Sequence, residues 1–294
     1  MVLVTGGLGY IGSHLVTELL NDNQAVVILD DLSRSNIQTL DSIKLLTNKT
    51  PIFYNGCISD IKILDQIFTT YPITKVVHLA GYKSVKESKT NPERYWDNNV
   101  IKSITFLEHI MKYSISSIIF SSSATVYAPD NNPLTETSPT NPQSTYGATK
   151  LFIEQILEKI TIPHITILRY FNPIGEHPSG LLKDTGADNL YPNIKKALET
   201  NSTFHIYGSD YPTKDGTAIR DYIPIQDLTK YHKFFLTNPI PGYNIYNIGT
   251  GIGKSVLDIV SEFSNLTYTL NPKRPGDTPI SVCDITKLKS IYKE

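Results

Sequence analysis

The sequence predicts an α/β protein built on a doubly wound parallel sheet, followed by a smaller lobe. Three observations carry this prediction. Short apolar runs alternate with segments of helical periodicity through the first half, a glycine triplet stands between the first run and the first helix, and the texture breaks up after about residue 172.

VLVT (2–5) reads as the first strand, and Ile11, Leu15 and Leu19 at i, i+4 and i+8 read as the apolar stripe of the helix after it. AVVILD (25–30), TPIFY (50–54), KVVHLA (75–80), SSIIFSS (116–122) and HITILRY (164–170) are the next strands. Ile153, Ile156, Leu157 and Ile160 mark a late helix. Near-continuous apolar strands joined by helices argue for parallel pairing with both faces covered, because parallel strands need crossover connections. After residue 172, HPSG, YPTKDG and NPIPG punctuate short helix and strand candidates. Residues 1–172 are therefore assigned to the sheet domain and 173–294 to a smaller substrate-binding lobe, some of whose segments return to the sheet.

A chain of 294 residues exceeds the usual span of about 100–200 for one domain, so it buries a sizeable core. Lys and Arg number 27 against 28 Asp and Glu, without runs of one sign, which argues against nucleic acid or an anionic membrane as partner and for a small molecule. Cys57 and Cys283 share no metal or redox spacing, and the chain opens on MVLVTGG rather than a basic and apolar leader. Nor does any stretch approach the ~18 uninterrupted apolar residues of a membrane span. A cytoplasmic location is expected. The seven histidines form no H-E-x-x-H pattern, and no metal site is expected.

Gly6, Gly9 and Gly12 follow the first strand and open the first helix. Glycines let backbone approach a pyrophosphate closely, and a helix N-terminus offers free N–H groups with partial positive charge. Asp30, at the end of the next strand and 18 residues after Gly12, is placed to accept hydrogen bonds from an adenosine ribose. These features make the sheet Rossmann-type. Asp31 adds a second negative charge that disfavours a 2′-phosphate, so NAD is expected over NADP, although Arg34 stands close by.

In STYGATK, Tyr146 and Lys150 lie four apart and share one face of a helix. Taken alone the pair reads as a ring packed beside a lysine stem, since the pattern is short and the chain is rich in both residues. A free tyrosine titrates near about 10, and lowering it to about 7 takes roughly 4 kcal/mol of preferential phenolate stabilisation. The Lys150 ammonium and a positive nicotinamide ring are the expected sources. FSSSATVYA ends a strand at the carboxyl edge where open α/β sheets bind ligands, and Ser123 is the serine expected to bond the reacting hydroxyl and relay its proton to Tyr146.

With TGGLGYIGSH, HLAGYKSVKES, DNNV, SSSATVY, YGATK, RYFNPIGEHPSG, YGSDYPTKDGTAIRDYI, YNIGTGIGKSVLD and RPGD in place almost end to end, the chain resembles the extended short-chain dehydrogenase/reductase family, and within it the UDP-hexose 4-epimerases. The resemblance implies an isomerase of galactose metabolism: reversible interconversion of UDP-galactose and UDP-glucose through a 4-keto sugar, with NAD retained through turnover and a homodimeric assembly. It further implies that Tyr10, Ile11, Asp30, Asp31, Leu32, Ser33, Arg34 and Ser35 line the NAD site. Cys57, Ile58, Leu79, Ala80, Gly81, Tyr82, Lys83, Asn98 and Phe171 complete it with Ser123, Tyr146 and Lys150. For the nucleotide sugar it implies Asn172, Asn189, Leu190, His205, Ile206, Tyr207, Arg220, Arg274 and Asp277, beside Ser123 and Tyr146. Arg220 and Arg274 suit a diphosphate, and Tyr207 offers a face for uracil.

A 4,6-dehydratase of the same family needs an Asp-Glu pair after the strand-end serine or threonine, where this chain has Ala124 and Thr125. A non-catalytic dinucleotide sensor has no need for serine, tyrosine and lysine together. Ser281, four residues after Asp277, is small where the family often carries tyrosine, which is expected to admit a 2-acetamido group and so UDP-GlcNAc and UDP-GalNAc. The segment from Gly180 to Asn189 is short and the chain ends at IYKE before the family's usual end, so support of the lobe is expected to suffer more than chemistry. Cys57 stands where the family has an aspartate that accepts from the adenine amino group, and a thiol is a weak acceptor. Cys57→Asp is expected to tighten NAD binding about tenfold, the worth of one good hydrogen bond; isothermal titration finding equal affinities would reject this.

Overall fold

The computed structural model describes residues 1–129, 133–186, 189–273 and 277–293. In chain order the first strands are β1 (Val2–Thr5), β2 (Val26–Asp30), β3 (Ile52–Asn55), β4 (Lys75–His78), β5 (Ser117–Ser123) and β6 (His164–Tyr170). Later come β7 (Asn172–Ile174), β8 (Phe204–Tyr207), β9 (Ile219–Pro224), β10 (Gly242–Ile248), β11 (Gly253–Ser255), β12 (Tyr268–Asn271) and β13 (Ile280–Ser281). The helices of the first half are α1 (Tyr10–Asn21), α2 (Thr39–Thr47), α3 (Ile61–Thr70), α4 (Val85–Thr90), α5 (Pro92–Trp96), α6 (Lys102–Ile110) and α7 (Thr145–Leu157). The second half adds α8 (Leu190–Glu199), α9 (Ile225–Thr237), α10 (Val256–Ser261) and α11 (Thr286–Ile291).

Seven strands pair in parallel in the order β3-β2-β1-β4-β5-β6-β10. Because side chains alternate along a strand, each strand feeds both faces. Val2, Val4, Val26 and Ile28 meet Leu15, Val16 and Leu19 of α1 and Leu228 and Phe235 of α9. Leu3, Val27 and Leu29 meet Leu64 and Ile67 of α3, Phe106 and Leu107 of α6, and Ile153 and Leu157 of α7. Each such residue, fully buried, contributes about 1.5–3 kcal/mol. All residues of β1, β2 and β5 are buried, as the predicted covered sheet requires.

Local signals set the helix starts. Asp60 accepts from Lys62 N and Ile63 N ahead of α3, and Ser144 from Gly147 N ahead of α7. Between α5 and α6 the chain inserts a π-helical turn, Asp97–Ile101, whose Asn99 is buried.

The seventh strand comes from the region read as the smaller lobe. GYNIYNI pairs along its whole length with β6, from Gly242↔His164 to Ile248↔Tyr170, and α9 before it lies on α1. The rest of that region forms two small sheets. β9 pairs with β7, β11 and β13, and β8 pairs with β12 around a separate core of Ile194, Phe204, Ile206, Tyr222 and Ile259. Among the described residues, no helix is long and apolar enough to cross a membrane.

Candidate active site

The glycine turn sits where β1 meets its neighbours β2 and β4, at the point where the order of the strands reverses. Gly6 adopts φ +68°, and a Cβ there would stand 2.8 Å from Ala80 N and 2.9 Å from its Cα. Gly12 lies so close to the turn that a Cβ would reach Gly6 O at 2.3 Å. Both positions demand glycine, one for conformation and contact, the other for seating α1 against the strand. Asp30 binds the turn to the loop after β2: Oδ2 accepts from Leu8 N at 3.0 Å, and Oδ1 from Leu32 N at 3.0 Å and Ser35 Oγ at 2.7 Å. A carboxylate offers about four lone-pair positions, so these bonds leave Oδ2 with room for a ligand hydroxyl.

These walls enclose a cleft of about 580 Å³. Of the residues expected at the cofactor, Gly6, Gly9, Asp30, Asp31, Ser33, Arg34, Ser35, Cys57, Ile58, Leu79, Ala80, Gly81, Tyr82 and Asn98 line it. A close-approach glycine turn, a helix N-terminus and a carboxylate with spare acceptor capacity fit a dinucleotide. The side chains of Ile11 and Leu32 pack on the core instead, and Tyr10 Oη donates to Gly175 O at 2.8 Å. Lys83 pairs with Asp184 at 3.0 Å, and Phe171 lines a second cleft rather than this one. Arg34 is engaged by Glu87 and lies 4.7 Å from the centre of the Tyr82 ring. Gly56, at the end of β3, also lines the cleft and was not singled out from sequence, although the NGC turn was its signal.

The second cleft, about 850 Å³, opens over the carboxyl end of β5. It gathers Ser123, Phe171, Asn172, Arg220, Asp277 and Ser281. Arg220 Nη2 donates to Asp277 Oδ1 at 2.8 Å, so the two expected substrate residues pair with each other. Asn189 precedes α8 without a side-chain cap bond and donates to Asp184, Leu190 packs on the lobe core, and neither lines the cleft. On β8, Tyr207 is exposed and His205 meets Thr269 at 2.8 Å, while the Ile206 side chain is buried and leaves only its backbone for a ligand. Arg274 lies outside the described residues. Thr125, Gln143 and Lys89 line the cleft and were missed; SSSATVY contained Thr125, but that position was read only as lacking an acid.

Ser123, which lines the second cleft, meets Tyr146, and Lys150 beside them lies next to Gly81 of the first cleft. Ser123 is the last residue of β5, and Ser144 starts α7 so that Tyr146 and Lys150 lie on successive turns facing the sheet. Lys150 Nζ donates to Ser121 O at 2.7 Å and sits 5.9 Å from the centre of the Tyr146 ring. Burial pulls Lys150 down to about 8, against the opposing pull of Glu154. Burial pushes Tyr146 up to about 12, with the Ser123 hydroxyl pulling it back. Of the two expected sources of phenolate stabilisation, the Lys150 ammonium bonds a carbonyl rather than the phenol, and burial dominates the phenol's affinity for its proton.

A family model for the NAD dependent epimerase/dehydratase family matches residues 2–249. Among curated relatives, the UDP-glucose 4-epimerase of Yersinia enterocolitica is 44% identical, the match covering 94% of this chain and 87% of that protein. That of Bacillus subtilis is 40% identical over 98% and 90%. Among solved structures, UDP-glucose-4-epimerase from Stenotrophomonas maltophila with bound NAD and formylated UDP-arabinopyranose superimposes with a TM-score of 0.92 at 35% identity, covering 99% of this chain and 91% of that one. The Bifidobacterium longum enzyme in complex with NAD+ and UDP gives 0.92 at 37% identity, covering 99% and 91%.

Because Lys150 titrates near about 8 when folded and 10.5 ordinarily, the unfolded chain holds this proton to higher pH than the native one. The unfolded state therefore binds more protons across that window, and this lysine makes stability rise with pH from about 8 to about 10.5. Urea denaturation of the wild type and Lys150→Met from pH 8 to 10 is expected to show the wild type gaining relative to the variant; parallel curves would refute it.

Proposed function

Since the chain belongs to the NAD dependent epimerase/dehydratase family, we infer that it catalyses the reversible epimerisation at C4 of a UDP-hexose, UDP-galactose to UDP-glucose and back, through a 4-keto sugar. It is an isomerase with NAD as cofactor. The observation that carries the reading is the meeting of Ser123, which lines the arginine-bearing cleft, with Tyr146 and Lys150, whose ammonium lies beside Gly81 of the dinucleotide cleft.

When bound, NAD supplies a hydride acceptor and donor at C4 and a positive ring that favours the Tyr146 phenolate. Residues 1–172 hold it. Gly6, Gly9, Gly12 and the start of α1 take the pyrophosphate, and Asp30 takes the adenosine ribose. Tyr146 removes the proton of the sugar's 4-hydroxyl and later returns it, with Ser123 bonded at the same oxygen. Lys150, anchored on Ser121 O, maintains positive charge beneath the phenol. Residues 173–294 hold the substrate. Arg220 with Arg274 grips the diphosphate, so the keto sugar turns over while UDP stays in place. A cytoplasmic location fits two thiols without a shared motif. For a homodimer, the supporting observation is a group of exposed apolar side chains on α5, the π-helical turn after it and α7. Trp96 and Phe152 meet edge-on at 5.8 Å there, and Ile101, in the π-helical turn beside them, is 57% exposed.

Ser281 lines the second cleft and is half-buried, which supports acceptance of an acetamido group. Pure protein is expected to interconvert both UDP-galactose and UDP-GalNAc with their 4-epimers, and Tyr146→Phe to lose both activities by about 10²-fold or more while still binding NAD. Chromatography decides each part: a product lighter by water signals dehydration and overturns the reading, and turnover of UDP-galactose alone rejects the acetamido part. Light scattering is expected to give the mass of two chains, falling to one on Phe152→Glu; a wild-type monomer refutes the dimer.

A further inference from the structure

Both acceptor positions of Ser123 Oγ are filled by one residue. Thr125 N donates to it at 3.2 Å and Thr125 Oγ1 at 3.0 Å. The first bond is the cap of the short helical turn Ala124–Val126, and the second is not part of any cap. A serine hydroxyl has one proton to give and two lone pairs to receive. With both lone pairs taken, Ser123 donates and does not accept. Its effect on Tyr146 agrees, since the serine hydroxyl pulls the phenol down against burial. A serine free to turn would accept the phenol proton as readily as give its own, and an ionised carboxylate at position 125 would draw the serine proton to itself.

We propose that Thr125 is a positioning residue of the reaction: by filling both lone pairs of Ser123 Oγ it commits the serine hydroxyl to donating, toward the Tyr146 oxygen and the sugar's 4-oxygen beside it. The proposal rests on the UDP-hexose reading above. The O4–H bond then breaks as the Tyr146 O–H bond forms, directly, because a relay through Ser123 needs that serine to accept the sugar's proton. On the return step the same proton moves back from Tyr146 to O4. The residue acts through Ser123 and carries no proton itself.

Several titratable groups bear on Tyr146. Lys150 shares its helix, Tyr170 faces it from β6, and His78 of β4 and Glu154, paired with Arg169, lie around Lys150. Lys89 of α4 lines the second cleft, as Ser123 does. All are retained when only the Thr125 hydroxyl is removed.

The test compares Thr125→Val, which preserves shape and backbone N–H, with Thr125→Ser, which restores the hydroxyl, and with Thr125→Ala in case the valine variant fails to fold. Rates with UDP-galactose are followed against pH in the NAD-loaded enzyme. Tyrosinate absorbance of the loaded protein is titrated separately, with Tyr146→Phe as blank. Thr125→Val is expected to lower kcat about tenfold at pH 7 and to move the acid limb, and with it the Tyr146 tyrosinate step, up by about one pH unit. KM should change less than about twofold, and Thr125→Ser should restore both limb and rate. An acid limb and tyrosinate step that stay in place overturn the proposal even if kcat falls, as does a loss that serine fails to restore. Absence of UDP-galactose turnover in the wild type would instead reject the reaction assigned above, while the tyrosinate titration still decides the role of Thr125.

Discussion

Glu154 lies on the sheet-facing side of α7, where Arg169 of β6 bonds both its oxygens and Ser122 of β5 bonds one of them. All three side chains are buried. The guanidinium also rests 4.8 Å from the centre of the Tyr127 ring, and Tyr243 of β10 donates to the Glu154 carbonyl at 3.1 Å. A buried pair of this kind adds little net stability against an apolar substitute, but losing one partner costs about 3–5 kcal/mol. Its effect is therefore on geometry. Tyr146, Lys150 and Glu154 recur every four residues along one helix face, so a single bidentate contact sets the distance of all three from the sheet.

The layer so created is buried, and its charges are set by desolvation. His78 is fully buried beneath it, bonded to Thr5 Oγ1 at 2.7 Å and Ser103 Oγ at 3.1 Å, and is held down to about 3 by burial and by the Lys150 charge. Lys150 is a second cation in that layer, and its bond to Ser121 O satisfies it without neutralising it. In such surroundings a charge acts at longer range than in water. A phenol raised to about 12 by burial is correspondingly sensitive to any positive group brought beside it, which ties its readiness as a base to occupancy of the neighbouring cleft.

The substrate side hangs on a different buried carboxylate. Asp221 of β9 accepts from Thr250 N at 2.7 Å, Thr250 Oγ1 at 2.8 Å, Gly251 N at 2.8 Å and Cys283 Sγ at 3.1 Å. It thereby joins β9 to the loop leaving β10 and to the segment after β13. Gly249 is required beside it, since a Cβ would stand 2.7 Å from Asp221 Oδ2. Alternation along the strand turns the preceding residue, Arg220, the other way, into the second cleft. One strand thus fastens the small sheet to the large one and presents a cation to the ligand.

Much of this was legible in the chain. The six strands of the first 172 residues, the glycine turn, Asp30 and the four-residue step from Tyr146 to Lys150 all depend on local periodicity and spacing, which a sequence displays directly. What it does not display is which distant segments become neighbours. GYNIYNI lacks both a continuous apolar run and a strict alternation, and gave no sign that it would pair with His164–Tyr170 as the seventh strand. Arg34 stood ready for a phosphate until the fold put Glu87 and Tyr82 against it, and Phe171 was assigned to one cleft and lies in the other. The two bonds from Thr125 to Ser123 needed the turn after β5 to be seen in three dimensions. Residue types and their spacing by themselves determined six strands of the sheet, the glycine turn and the shared helix face of Tyr146 and Lys150. Tertiary structure alone decided proton affinities and hydrogen-bond directions, because these follow from desolvation and from partners far away in the chain.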